Sequence, residues 1–312
     1  MKALLGYFWA AVRPVNTQQR FLFRCGTLLV ASGLLHLVIA AVDDAAWWGP
    51  VSWRKPAVFG LSFGLLLWAA AWVVRQLPVN RWGWIPVGIL GGTSVLEVVL
   101  ISMQRWRGMP SHFSPEPTFD NIVWGVMAQS VFLAAGSLAT LLIWAMIRFR
   151  GSPASRVAVI AGLAAIMVAG KIGGDMAALG ELTVTATGDV PRTAVVFGAA
   201  GSAKLAHALG LHGLHVLGLL AIGLDLGGLA TRAKVWFMLL AVAGYGAVFG
   251  SVMATAYAGR AWTSPAPGQA LLAAAGLAAL LLVAFSLVRS WSRGRDDGAE
   301  RAVGAHRAGV VG

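Results

Sequence analysis

The chain has little charge and almost no cysteine. Only 12% of its 312 residues are charged and 58% are hydrophobic. A soluble domain carries about twice as much charge, so this composition excludes an ordinary soluble fold. The single cysteine, Cys25, excludes an intramolecular disulfide and a cysteine metal cluster. No secretory signal peptide is evident, because the first apolar run ends at Arg13 without a small-residue cleavage pattern.

Acidic residues are scarce as well. The chain has 12 of them against 24 lysines and arginines, which gives a net charge of +12. Most of the basic residues fall on one side of the predicted membrane spans, the side that also holds both termini. Positive charge is retained in the cytoplasm, so this bias predicts cytoplasmic termini and a multi-pass protein of the cell membrane. The charge is explained by topology, and a nucleic-acid partner is therefore not expected.

Long apolar runs are abundant. Eight stretches are each long enough to cross about 30 Å of hydrocarbon as a helix. The expected fold is therefore all-α, a polytopic bundle of about eight spans over residues 21–288, with an interfacial segment at 1–20 and a disordered cytoplasmic tail at 289–312. The predicted spans are Phe21–Val42, Pro56–Val74, Trp84–Met103, Asn121–Ile147, Arg156–Leu179, Ser202–Leu224, Val235–Ala258 and Gly268–Val288.

A few polar residues interrupt these spans, and each is costly inside a bilayer unless it has a partner. From the helical rise, they lie about 9 to 13 Å below the predicted outer ends of five spans. The sixth span adds the run "KLAHALGLHGLHVLGLL", in which three histidines and Lys204 share one face of the helix. We therefore expect one polar layer in the outer half of the bundle. Its members are His36, Glu97, Gln129, Lys171, Asp175, His207, His212 and His215.

Three interpretations of this layer stay open. In the first, His36, His207, His212 and His215 bind haem or a transition metal, with His36 and His212 as the first axial pair to test. In the second, Glu97, Lys171 and Asp175 relay protons in a proton-coupled transporter. In the third, the same groups only join helices in an accessory subunit without chemistry. The spacing of the three histidines in the sixth span matches no established metal motif.

The predicted outer loops are the longer ones and carry basic residues, which favours a site on that face. Arg54, Lys55, Arg105, Arg107 and Lys204 are expected to form a basic rim above the layer. With His112 and Gln129, this rim would bind a carboxylate, a phosphate or an anionic lipid head group. Contact with anionic lipid without specificity is the competing interpretation. An enzyme at this site would act by redox or metal-assisted chemistry on a small hydrophobic or lipid-phase substrate, with Glu97, Lys171 and Asp175 as its catalytic groups.

Three segments together resemble an uncharacterised family of bacterial multi-pass membrane proteins. They are "GPVSWRKPAVFGLSFGLLLWAAAW", "QRWRGMPSHFSPEPTFD" and the histidine run of the sixth span. The resemblance implies that Lys55, His112, His207 and His212 belong to one functional unit, and it brings no established activity. The chain departs from the family pattern at Ser114, where the pattern has asparagine, and at His215, where it has glutamine. The second departure weakens a three-histidine metal site, because glutamine is a poor ligand for most transition metals.

Overall fold

The structure is a computed structural model that describes residues 2–113, 119–188, 190 and 195–308. Within these residues it contains nine α-helices and one short antiparallel hairpin, so the predicted all-α class is confirmed. A two-residue strand β1, Val196–Phe197, pairs with β2, Gly201–Ser202. The helices are α1 Lys2–Val12, α2 Thr17–Val42, α3 Arg54–Arg75, α4 Trp84–Trp106, α5 Phe119–Arg148, α6 Pro153–Thr187, α7 Lys204–Leu226, α8 Thr231–Tyr257 and α9 Pro267–Ala308.

Eight of these helices, α2 to α9, are long and apolar enough to cross a membrane. Side chains near both ends of the chain contact the same end of the bundle. Arg75, at the end of α3, donates a hydrogen bond to the carbonyl of Arg13, and Trp291 donates one to the carbonyl of Gly223 near the end of α7. We call this end the terminal face. We call the opposite end the loop face, because it carries the connections α2–α3, α4–α5, α6–α7 and α8–α9.

Two helices run further than the sequence predicts. Helix α6 continues past Leu179 to Thr187 and ends at Gly188, whose φ of 72° is a left-handed conformation that suits glycine. It therefore takes up part of the predicted outer loop. Helix α9 continues to Ala308, through most of the segment whose composition predicts a disordered tail. The interfacial role predicted for residues 1–20 stays a prediction; α1 occupies Lys2–Val12.

Helices α3 and α7 occupy the centre of the bundle. Helix α3 packs against α2 and α4, α7 packs against α6 and α8, and α3 and α7 contact each other. The largest group of buried apolar residues lies mainly between α3, α5, α6 and α7 and includes Trp72, Leu141, Leu163 and Leu217. Two smaller groups lie nearer the loop face, one on α6, α7 and α8 and one on α4 and α5. The polar side chains of the candidate site lie in this same half.

Helices α2 and α3 approach each other through glycines. A Cβ atom placed on Gly60 would lie 2.8 Å from the backbone nitrogen and Cα of Gly33, and one placed on Gly33 would lie 2.8 Å from the backbone nitrogen of Leu61. Gly26 and Gly64 face each other in the same way, about two turns from Gly33 along α2 and one turn from Gly60 along α3. Backbone-to-backbone contact of this kind is how small residues bring membrane helices together. It fixes the start of α3, and therefore Lys55, against α2.

Candidate functional site

Three cations form a cluster at the loop face, which we call the cation cluster: Arg54, Lys55 and Lys204. Arg54 and Lys55 begin α3 and Lys204 begins α7. The three side chains are close enough to act on one another electrostatically. Neither helix has a side-chain cap on its N-terminus. The positive end of a helix dipole favours acidic groups, so cations at two such ends need a negative partner.

The other two members of the predicted rim are already neutralised. Arg105 pairs with Asp43 at 3.4 Å and lies 3.8 Å above the ring of Trp53. Arg107 pairs with Asp120, a buried carboxylate at the start of α5. The sequence predicted five equivalent cations. The structure separates them into two local ion pairs and the cation cluster.

The side chain of Lys55 leads into a short chain of hydrogen bonds. Its Nζ donates to Ser111 Oγ at 3.2 Å, and Ser111 Oγ lies 2.8 Å from His112 Nδ1. An ammonium group can only donate, so the serine oxygen accepts from Lys55, and the direction of its bond to His112 Nδ1 is set by the tautomer of the imidazole. The structure brings the predicted residues Lys55 and His112 together, with Ser111 between them.

Aromatic side chains enclose His112. Its ring centroid lies 4.7 Å from that of Trp124 and 6.0 Å from that of Phe59. The neighbouring Phe113 packs against Gly180 on α6, where a Cβ atom would collide with the phenyl ring. The indole of Trp124 donates to Glu181 at 2.9 Å. These contacts hold the loop that carries Ser111 and His112 against α3, α5 and α6.

This enclosure makes protonation of His112 unfavourable. Burial, together with the charge of Lys55 and against the hydrogen bond of the Ser111 backbone, lowers the pKa of His112 to about 3. In the unfolded chain the pKa is about 6.5. Between these two values the unfolded chain binds more protons than the folded one, so stability rises with pH across this window and is lost as the pH falls through it.

We therefore expect acid to destabilise the protein through His112. Taking the pH from about 7.5 to about 5.5 should remove about 1 kcal/mol of stability because of this one group. The measurement is the unfolding midpoint of the purified protein at both pH values. His112→Gln keeps a hydrogen-bonding side chain that does not titrate, so its loss over the same interval should be smaller. An equal loss in both proteins would show that His112 is not the titrating group.

Two buried polar atoms beside the cation cluster have no hydrogen-bond partner among the described residues. They are Ser52 Oγ and Arg54 Nε. Ser52 is 1% exposed and precedes Arg54 by two residues. A buried polar atom without a partner costs about 1 to 3 kcal/mol, so native proteins usually supply one. Both atoms are donors, and an anion at the start of α3 would satisfy them.

His36 does not join this site. The ring is 5% exposed, and Nδ1 lies 2.8 Å from the carbonyl oxygen of Ser32. The other ring nitrogen, Nε2, accepts a hydrogen bond from the indole of Trp106 at 3.3 Å. Both nitrogens are therefore occupied, so the predicted metal or haem role of His36 is not available in this arrangement. His36 instead holds α2 to the end of α4, together with Trp53 and Trp106.

The three histidines of α7 separate into two environments. His207 donates from Nδ1 to the carbonyl of Ala169 at 2.7 Å and packs against Gly173, so it joins α7 to α6. His212 and His215 lie side by side, with ring centroids 5.1 Å apart. The two nitrogens of His215 are buried and have no hydrogen bond of normal geometry within the described residues. The ring faces the backbone of Leu65 on α3.

The predicted catalytic groups lie in two further places. Glu97 is 2% exposed and accepts a hydrogen bond from Ser130 at 2.7 Å, between α4 and α5. Lys171 and Asp175 form an ion pair on the outside of α6, where 75% of the lysine side chain is exposed. Tyr257 of α8 donates to Asp175 at 2.6 Å. The structure does not bring Glu97 together with this pair, and Gln129 is exposed on α5.

Among the described residues, no group of three or more His, Cys, Asp or Glu side chains lies close enough to hold a metal ion. The sequence placed the polar residues at similar depths, and the structure distributes them around several helices. Sequence reasoning missed Ser52, Ser130 and the role of Trp106. The hydroxyl groups gave no signal because serines are common in apolar helices, and the sequence does not show which side chain the indole of Trp106 will meet.

No protein-family model, curated protein or solved structure matches this chain.

Proposed function

We propose that this protein is a multi-pass membrane protein that binds an anionic group, a phosphate or a carboxylate, at the cation cluster of its loop face. One observation carries the proposal. Lys55 is half-buried, its hydrogen-bond partner among the described residues is the neutral Ser111, and two further cations lie beside it. A cation in such surroundings normally has an acidic partner, and repulsion within the cluster adds to the cost. A bound anion would remove both costs.

The local backbone supports the same ligand. The first amide groups of a helix have no partner inside the helix and carry the positive end of its dipole. Helices α3 and α7 both begin at the cluster without a side-chain cap. In α3 the amide of Lys55 bonds to the carbonyl of Ser52 and Pro56 has no N–H, so the free amides come mainly from α7. The unpartnered donors of Ser52 and Arg54 lie at the first of these helix starts. Two helix starts, three cations and two free donors favour a ligand with several oxygen atoms.

The surroundings also suit a ligand with an apolar part. The guanidinium of Arg54 lies 4.9 Å from the ring of Trp48, and 72% of that tryptophan is exposed. Trp106, on the same face, is also exposed. Tryptophan prefers the boundary between water and lipid, so the cluster would lie at head-group level. A lipid head group and a free phosphate share this chemistry, and the experiment below separates them.

The proposal includes an orientation and a location. The basic residues of the terminal face predict that this face is cytoplasmic, which would place the cation cluster on the outside of the cell membrane. The family resemblance supports a bacterial source. A haem or metal enzyme is less well supported, because His36 and His207 use ring nitrogens in helix contacts and only His212 and His215 remain as a pair.

The test is anion binding by the full-length protein. We expect inorganic phosphate to bind to the detergent-purified chain in a calorimetric titration at low salt. Lys55→Gln should weaken this binding about tenfold or more, since a hydrogen bond to a charged group contributes about 1.5 to 3 kcal/mol. Lys171→Gln is the matched control, because that lysine is exposed and paired with Asp175 on another part of the surface. Equal affinity in the wild type and Lys55→Gln would refute the proposal.

A second arm identifies the source of the anion. Native mass spectrometry compares retention of phosphatidylglycerol with that of phosphatidylcholine in the wild type and in Lys55→Gln. A lipid ligand predicts selective retention of the anionic lipid that disappears in the variant, whereas a free anion predicts phosphate binding without lipid selectivity. Two further acids of the loop-face connections, Glu116 and Asp189, lie outside the described residues. If the wild type does not bind phosphate but Glu116→Gln does, the carboxylate of Glu116 neutralises the cation cluster and the proposal is wrong.

A further inference from the structure

A line of polar groups continues below the cation cluster between the two central helices. Lys55 and Lys204 begin α3 and α7 at the same face, and the two helices contact each other. His215 lies about 16 Å below Lys204 along α7, and Leu65 lies about 15 Å below Lys55 along α3. The ring of His215 faces the backbone of Leu65. The histidine pair is therefore located between α3 and α7, at mid-membrane depth beneath the cation cluster.

A barrier lies on the terminal side of this pair. Gly218 is one turn beyond His215, and the ring of Trp72 packs against it, 3.2 Å from where a Cβ atom would be. Trp72 is 6% exposed. Long helix side chains point toward the N-terminus of their helix, so the indole of Trp72 projects from α3 toward the loop face and closes the space below His215.

The far side of this barrier is a cavity. It has a volume of about 160 Å³ and lies among the terminal ends of α3 and α7. Trp72 forms part of its wall, together with Arg75, Gln76 and Asp225. The α3–α7 contact thus has cations at one end, two imidazoles in the middle and, at the other end, a cavity whose wall includes Arg75 and Asp225. The indole of Trp72 lies between the imidazoles and this cavity.

We propose that the contact between α3 and α7 is a translocation path for the anion that binds at the cation cluster, closed in this structure by Trp72. This inference rests on the proposed function and extends it from binding to transport. An ionised or polar group at mid-membrane needs hydrogen-bonding partners. A neutral imidazole offers one donor and one acceptor, so His212 and His215 can bind the oxygen atoms of a phosphate or carboxyl group in passage. The buried nitrogens of His215 have no hydrogen bond of normal geometry among the described residues, and an anion would compete there with the nearby backbone groups of Leu65 and Leu211.

The experiment uses the single cysteine of the chain. Cys25→Ala gives a background without thiols, into which His215→Cys is introduced. Phosphate binding to the background protein is measured first by calorimetry, so a failure of the proposed function appears before any labelling. A small charged thiol reagent is then added to the loop face of the protein in liposomes. Leu219→Cys is the matched control, because it lies one turn further along α7 and is 56% exposed on the outside of the bundle.

We expect His215→Cys to react about tenfold faster than Leu219→Cys, because only a cysteine in a water-accessible path forms the reactive thiolate. Saturating inorganic phosphate should slow the reaction, and Lys55→Gln should abolish this protection. Reagent added at the terminal face should not reach His215→Cys while Trp72 is present. When Trp72→Ala is added to this variant, the reagent should reach the cysteine from that face. If His215→Cys does not fold, His212→Cys provides the same test. Two results would overturn the translocation path, each in a protein that binds phosphate normally. One is that neither His212→Cys nor His215→Cys reacts with the reagent; the other is that the cysteine reacts but phosphate does not slow the reaction.

Discussion

Replacing Asp120 by alanine is expected to destabilise the protein by about 2 kcal/mol, because the buried amide of Gln104 and the guanidinium of Arg107 both lose the carboxylate that they bind. Asp120 is 6% exposed and accepts hydrogen bonds from Arg107 and Gln104. The amide of Gln104 is fully buried and also reaches the carbonyl of Pro110. These bonds hold the start of α5 to the loop that carries Ser111 and His112. Anion binding should therefore weaken as well, although Asp120 itself carries the wrong charge to bind an anion.

The measurement is thermal unfolding of the purified protein, followed by phosphate titration of the fraction that stays folded. Asp175→Ala is the control, since Asp175 also pairs with a cation, but 75% of the Lys171 side chain is exposed and Tyr257, which donates to Asp175, is 43% exposed. An exposed pair is worth about 1 kcal/mol or less, so this variant should lose much less stability. If the two alanine variants unfold at the same temperature, the buried hydrogen bonds of Asp120 do not contribute the additional stability that this prediction requires.

Gly60→Ala is expected to destabilise the contact between α2 and α3 by about 3 kcal/mol, the upper part of the usual range for overpacking. The added methyl group would lie 2.8 Å from backbone atoms of Gly33 and 2.9 Å from the carbonyl oxygen of Leu29. No side chain can rotate away to make room, so the helices must separate. Lys55 lies in the first turn of α3, and its contact with Ser111 should loosen with the helix.

Gly92→Ala provides the comparison for this variant. Gly92 is also in the interior of a helix, α4, and a Cβ atom there would have nothing within 4 Å. Alanine is favoured over glycine in a helix by about 1 kcal/mol, so this variant should be as stable as the wild type or slightly more stable. The helix content by circular dichroism and the unfolding midpoint are measured for both variants in the same detergent. A Gly60→Ala protein as stable as Gly92→Ala would contradict the close approach of α2 and α3.

The distance of each polar residue from the outer end of its predicted span identified buried polar groups but not their partners. His36 was predicted to lie inside the bundle, and it does. The sequence could not show that Trp106, 70 residues away, would occupy its Nε2. The same limit applies to Glu97, whose partner Ser130 is 33 residues away. Similar depth on different helices does not bring side chains together, because each helix can rotate about its own axis and face a different neighbour.

The sequence by itself determined that the chain forms eight long apolar helices, since hydrocarbon length and backbone hydrogen bonding leave few other folds for such runs. It also determined that cations collect at the start of α3 and α7. Only the tertiary structure decided which cations have no acidic partner in the part of the chain that it describes. Arg105 and Arg107 reach Asp43 and Asp120, whereas Lys55 reaches a serine 56 residues away. The reason is physical: helix length follows from local composition, but ion pairing depends on distances of a few ångströms that helix packing sets.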